Sequence, residues 1–181
     1  MAFLLIAAKH SEYGVDIIDF GGGLASNYYQ HRRILARLGK NRWSIIERPI
    51  FVKLGCEHFQ SSEVTFCSSL ADILWTDPKA ILFSGSLQCL VDPFRILAQV
   101  VASSGIDLVA IDRVLMSPSE YHAAFVQNPS IYAANYPVWC FSRDRMVEWF
   151  WENGFDLVEH FTSNPDAYFD HCGMIFARRM A

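Results

Sequence analysis

Short apolar runs of strand length recur along the chain at Val15–Phe20, Trp43–Glu47, Val64–Cys67, Ala80–Ser84, Ile106–Ile111, Phe155–Phe161 and Met174–Ala177. Between the first five lie stretches of helix length, from Asn27 to about Leu38 in the first case. Pro93–Val101 places Phe94, Leu97 and Val101 on one side and Arg95 on another, with Asp92 as its N-cap and Pro93 in its first turn. In the segment from Ser142 to Gly154, Ser142 is the cap, Met146, Trp149 and Phe150 form the core stripe, and Asn153-Gly154 is the stop. Buried strands alternating with amphipathic helices predict a parallel sheet joined by right-handed crossovers. The last two runs are separated by a polar stretch from Thr162 to Cys172, too short for an ordinary helix, so they are expected to pair antiparallel. The prediction is a single domain over 1–181. It is α/β, a mostly parallel seven-stranded sheet with helices on both faces and an antiparallel terminal strand pair. Met116 to Cys140, rich in Tyr, Pro, Asn and Ser, breaks the rhythm and is expected to be an irregular functional loop.

The first strand ends in an acid and breaks into glycines: Asp19-Phe20-Gly21-Gly22-Gly23. Glycine at such a turn permits positive φ and lets a ligand approach the main chain, while the following helix offers unpaired N–H groups. The second strand ends in Glu47, which a parallel neighbour places beside the turn. A carboxylate there can accept both hydroxyls of a ribose. Each acid also has a structural reading: Asp19 capping the next helix, Glu47 pairing with Arg48 or Lys53.

Composition narrows the class. The 181 residues are 52% hydrophobic, yet no apolar run reaches the roughly 18 residues of a membrane span, which predicts a soluble, cytoplasmic protein. Met1 to His10 is apolar but lacks a basic leader and a small-residue cleavage site, and is expected to be a helix packing against the sheet edge. The five cysteines have no paired spacing of the kind zinc or a redox dithiol uses, so no metal is expected and the thiols are expected to be buried. A net charge of −4 with scattered Lys and Arg provides no basic stripe, which argues against a nucleic-acid partner.

The runs Asp19-Phe20-Gly21-Gly22-Gly23, Trp43-Ser44-Ile45-Ile46-Glu47-Arg48-Pro49, Ser84-Gly85-Ser86-Leu87-Gln88-Cys89-Leu90-Val91-Asp92-Pro93, Asp112-Arg113 and Tyr136-Pro137-Val138-Trp139 resemble the S-adenosylmethionine-dependent methyltransferase superfamily of Rossmann-like class. Within it they look most like a bacterial family defined by sequence and of unassigned substrate. The resemblance implies that Asp19 organises the amino group of S-adenosylmethionine, usually through water, and that Gly21, Gly22 and Gly23 pack against its methionine portion. Glu47 holds the ribose, and Ser84, Gly85 and Ser86 face the sulfonium. An acid near the adenine usually follows the third strand, but here that segment reads Ser68-Ser69-Leu70. Ser69 and the Leu70 backbone are the expected substitutes, ahead of Asp72.

Methyl transfer from a sulfonium is an in-line displacement governed by alignment, helped by a base when the nucleophile is oxygen. Asp112 and His122 are the candidate catalytic bases, with His171 third. Arg113, Tyr132 and Tyr136 are the candidate acceptor contacts, with Tyr121 and Trp139 as further aromatic surfaces. The expected activity is methyl transfer to oxygen or nitrogen of a small-molecule acceptor. Two alternatives stand beside it. One is a nicotinamide-dependent oxidoreductase, since Gly21 to Ser26 partly matches that fingerprint with Ser26 in place of the third glycine. The other is a non-catalytic cofactor-binding module, suggested by the short stretch before the first strand.

Overall fold

The computed structural model describes residues 2–9, 14–73, 79–128, 134–165 and 170–180. The contacts of the chain cluster into two units, Met1–Ser84 with Ser103–Ala110, and Gly85–Ala102 with Ile111–Ala181.

The first unit holds α1 (Ala2–Lys9), β1 (Gly14–Phe20), α2 (Ser26–Leu35), β2 (Lys40–Ile46), α3 (Pro49–His58), β3 (Val64–Cys67), β4 (Lys79–Ser84) and the start of β5 (Ile106–Ser117). Strands run in the order β3-β2-β1-β4-β5. β1 is parallel to both β2 and β4, and β2 to β3. Val15, Ile17, Ile18, Trp43, Ile45, Ile46, Val64, Ile81 and Phe83 are buried. Near-continuous apolar runs are what parallel strands need when both faces are covered. Helix α1 packs on β1, a strand flanked on both sides, rather than on an edge. Helix α2 ends at Leu35, earlier than predicted, because the buried Asn41 side chain donates to the carbonyls of Leu35 (2.9 Å) and Gly39 (3.0 Å). Those bonds satisfy a helix end that would otherwise keep orphan carbonyls.

The second unit holds α4 (Pro93–Ala102), the rest of β5, β6 (Ala123–Gln127), β7 (Tyr136–Ser142), α5 (Arg143–Glu152), β8 (Phe155–Pro165) and β9 (Asp170–Arg178). β7 lies parallel to β5 and antiparallel to β6, while β8 and β9 form the expected antiparallel pair. Both predicted helix caps are present: Asp92 Oδ1 accepts from the Arg95 N–H at 3.0 Å, and Ser142 Oγ from that of Arg145 at 3.4 Å. Met146 and Phe150 face the core, and Phe150 stacks on Phe176 with centroids 3.9 Å apart. Trp149 is only half-buried and meets Phe94 edge-on.

Two expectations are corrected. The described residues form nine strands, not seven, and the described part of the segment from Met116 to Cys140 contains strands: β5 runs on to Ser117, and β6 and β7 pair as a hairpin. β6 is illegible because Ala123-Ala124-Phe125-Val126-Gln127 lacks a buried alternation; its side chains are exposed or half-exposed, and among the described residues it pairs with β7 alone. Of the cysteines, Cys140 and Cys172 are buried as expected, but Cys56 and Cys89 are exposed.

Candidate functional site

The turn after β1 is built from left-handed backbone: Gly21 has φ +73°, Gly23 φ +60° and, unforeseen, Ala25 φ +68°. Two of the glycines are required for different reasons. A Cβ at Gly22 would lie 2.5 Å from Asp19 Cγ, so that position has no room for a side chain. A Cβ at Gly23 would meet nothing within 4 Å, so glycine there answers to the backbone and leaves bare main chain facing open space.

Asp19 lies behind this turn and is fully buried. Its Oδ2 accepts from Trp43 Nε1 (3.1 Å) and Asn27 Nδ2 (3.2 Å). Burial of a carboxylate is tolerable only with such partners. The acid does not cap α2, whose N-cap is Ala25 with no side-chain bond. Trp43 and Asn27 escaped the sequence reading. The available signal was the pleat, because Asp19 pairs with Ile45 and Trp43 stands two residues earlier on the same face of β2.

Glu47 follows β2 and reaches the turn. Its Oε1 accepts from the Gly23 N–H at 3.2 Å and its Oε2 from the Arg48 N–H at 2.8 Å. The Arg48 guanidinium is 4.0 Å away with its side chain 76% exposed, an ion pair of little energetic weight. Two main-chain donors therefore orient the carboxylate, one of them supplied by the glycine turn itself.

Beyond β3, Asp72 Oδ2 accepts from the N–H groups of Ser68 (3.1 Å) and Ser69 (2.8 Å), closing a capping box with Ser69 over the 3₁₀ turn Leu70–Asp72. Asp72 is thus committed to its own loop. Cys67 donates to the Ile45 carbonyl, and burial, then Asp72 and Cys56, push its thiol up to about 11. It stays protonated at neutral pH.

The remaining candidates, apart from Ser84 at the end of β4, belong to the second unit. Gly85 is left-handed (φ +70°), and its N–H donates to the Asp112 carbonyl at 2.8 Å. Gln88 Oε1 accepts from the Leu115 N–H (3.1 Å), and Trp139 Nε1 donates to the Leu90 carbonyl (3.0 Å). The Ser-Gly-Ser-Leu-Gln run is therefore pinned to β5 and, through Trp139 of the Tyr-Pro-Val-Trp run, to β7. Ser84, Ser86, Asp112 and Tyr136 are half-buried, whereas Arg113 is exposed with φ +53°. Tyr132 lies outside the described residues. Tyr121 is exposed, and His171 is half-buried on β9.

His122 is placed differently from a base. Its Nδ1 accepts from the Ser142 N–H at 3.0 Å, and its ring packs between Phe94 and Phe141 at 4.9 and 5.7 Å. Burial, then the Arg145 charge, hold its pKa below the ordinary histidine value. A neutral imidazole has one lone pair, here on Nδ1 and engaged by a backbone amide, so the proton sits on Nε2. In this arrangement the Ser142 amide occupies the lone pair that a base would use.

No protein-family model and no curated protein matches the sequence. Solved structures do. A Burkholderia thailandensis 1,6-didemethyltoxoflavin-N1-methyltransferase with bound 1,6-didemethyltoxoflavin and S-adenosylhomocysteine is 17% identical, with TM-score 0.63 over 98% of this chain and 76% of that one. A Methanosarcina mazei S-adenosylmethionine-dependent methyltransferase aligns at TM-score 0.68 and 11% identity over 97% of this chain and 98% of its own. A glycopeptide N-methyltransferase in complex with S-adenosylmethionine aligns at 0.64 and 12%, over 98% and 93%. The mostly parallel α/β fold with its antiparallel strand pair is thus the Rossmann-like methyltransferase fold.

Proposed function

We propose that this chain binds S-adenosylmethionine at the glycine turn and Glu47, and transfers the methyl group to an oxygen or nitrogen of a small-molecule acceptor. One observation carries the reading: Glu47 is oriented by the Gly23 and Arg48 amides beside a glycine whose missing side chain faces open space. That arrangement fits a ribose, whose two hydroxyls can donate to the lone pairs the amides leave, with bare backbone next to it for the methionine portion. The fold neighbours with bound S-adenosylhomocysteine or S-adenosylmethionine support the same cofactor, and the bound 1,6-didemethyltoxoflavin of the Burkholderia enzyme supports a small-molecule acceptor.

When bound, S-adenosylmethionine supplies an electrophilic methyl carbon on a sulfonium. The protein's residues position and exclude. Asp19 keeps the turn in shape from behind, Glu47 holds the ribose, and Ser69, Leu70 and Ser84 are assigned to the rest of the cofactor with Gly85 and Ser86. Asp112 is assigned to take the acceptor's proton, with Arg113, Tyr132 and Tyr136 contacting the acceptor. The test is calorimetric titration with S-adenosylhomocysteine, S-adenosylmethionine and NAD. Binding of the first two without NAD supports the reading, whereas NAD binding alone overturns it in favour of an oxidoreductase. A non-catalytic module is the second reading, favoured by the engaged lone pair of His122. Methyl-donor turnover over a panel of acceptors separates it from an active enzyme.

A further inference from the structure

Within the first unit the glycine turn is tied to β2 at three places. Gly21 donates its N–H to the Ile46 carbonyl at 2.9 Å, Gly23 donates to Glu47 Oε1 at 3.2 Å, and behind the turn Trp43 Nε1 donates to Asp19 Oδ2 at 3.1 Å. The Glu47 N–H donates to the Cys67 carbonyl at 3.0 Å, which carries the pairing of β2 with β3 one residue past the strand. Trp43, Ile45 and Glu47 therefore alternate onto one face, so a single stretch of backbone places both the donor to Asp19 and the acceptor from Gly23. Gly22 rests on the same carboxyl: a Cβ built there would lie 2.5 Å from Asp19 Cγ and 2.6 Å from Oδ2. The Gly22 main chain thus follows the tilt of the Asp19 carboxyl, and Trp43 sets that tilt together with the Asn27 amide.

Folding alone does not call for this pair. Asp19 and Trp43 are both buried, and apolar groups of the same shape can replace a buried polar pair at little or no cost in stability. The edge-on packing of Trp43 against Tyr28, with centroids 6.0 Å apart, asks for an aromatic ring and not for its N–H. We infer that Trp43 is a positioning residue for the cofactor: through Asp19 and Gly22 its N–H fixes where the Gly23 amide points, and thereby the Glu47 carboxylate that receives the ribose. This rests on the S-adenosylmethionine reading and adds to it a residue too buried to touch the ligand.

Calorimetric titration of S-adenosylhomocysteine into the wild type, Trp43→Phe, Glu47→Ala and the double variant tests it, with denaturant melts to establish that each is folded. Trp43→Phe should bind roughly tenfold more weakly than the wild type. The double variant should bind within about twofold of Glu47→Ala, because both substitutions act on one contact and their effects then do not add. Losses that multiply in the double variant, or unchanged affinity in a folded Trp43→Phe protein, each overturn the inference, since a purely structural tryptophan gives one or the other. Where a variant fails to fold, nitrogen–proton correlation spectra of the wild type decide. The Trp43 Nε1–H resonance should move when S-adenosylhomocysteine is added, and a resonance that stays in place overturns the inference. A wild type that does not bind S-adenosylhomocysteine overturns the cofactor reading and this inference together, whereas a wild type and a Trp43→Phe variant that bind equally overturn the inference alone.

Discussion

The glycine turn of the first unit and the β6–β7 hairpin of the second are held by different means. At the turn a fully buried carboxylate, an indole and a side-chain amide converge within a few residues of strand end, and the catch is closed by Glu47 on the Gly23 N–H. The hairpin is a ladder on an edge strand whose apolar residues Phe125 and Val126 are exposed, tied down where His122 accepts from Ser142. A turn that is to hold the proposed cofactor gains from preorganisation, because freedom lost on binding weakens affinity. An edge hairpin carries no such requirement and can vary with what it contacts.

Substitutions can break this contrast. The largest effect is expected from Gly22→Val, whose side chain would collide with the buried Asp19 carboxyl; we expect a loss of about 3–4 kcal/mol in a denaturant melt and no binding of S-adenosylhomocysteine. Next comes Asp19→Ala, which leaves the buried Trp43 indole donor without its acceptor, at about 1–3 kcal/mol. A variant as stable as the wild type would mean that the turn does not depend on its buried acid. The smallest effect belongs to the hairpin. His122 titrates below its unfolded value in the fold, so its neutral form contributes fully above about pH 6.5 and that contribution is lost as pH falls through the folded pKa. Thermal melts should therefore show the wild type losing stability on acidification more than His122→Gln. Parallel losses in the two proteins would contradict the assignment.

The difference also explains what the sequence made legible. β1, β2 and the turn announce themselves because every signal is local: an apolar run, an acid, glycines, and a second acid one strand away. Trp43 and Asn27 are ordinary residues until pairing brings them to Asp19, and Ala25 carries no mark of its left-handed backbone. β6 hides because an edge strand needs no buried alternation, and β7 because Pro137 near its start argues against a strand. The role of His122 depends on a single amide of Ser142, twenty residues along the chain, which no pattern of residue types encodes.

The central claim is that Glu47, oriented by Gly23, holds the ribose of S-adenosylmethionine. Calorimetric titration of S-adenosylhomocysteine into the wild type and Glu47→Ala tests it, with melts to establish that both are folded. A loss of about 1.5–3 kcal/mol of binding free energy in the variant is predicted, the scale of hydrogen bonds to a charged acceptor. Unchanged affinity in a folded Glu47→Ala protein would contradict the account.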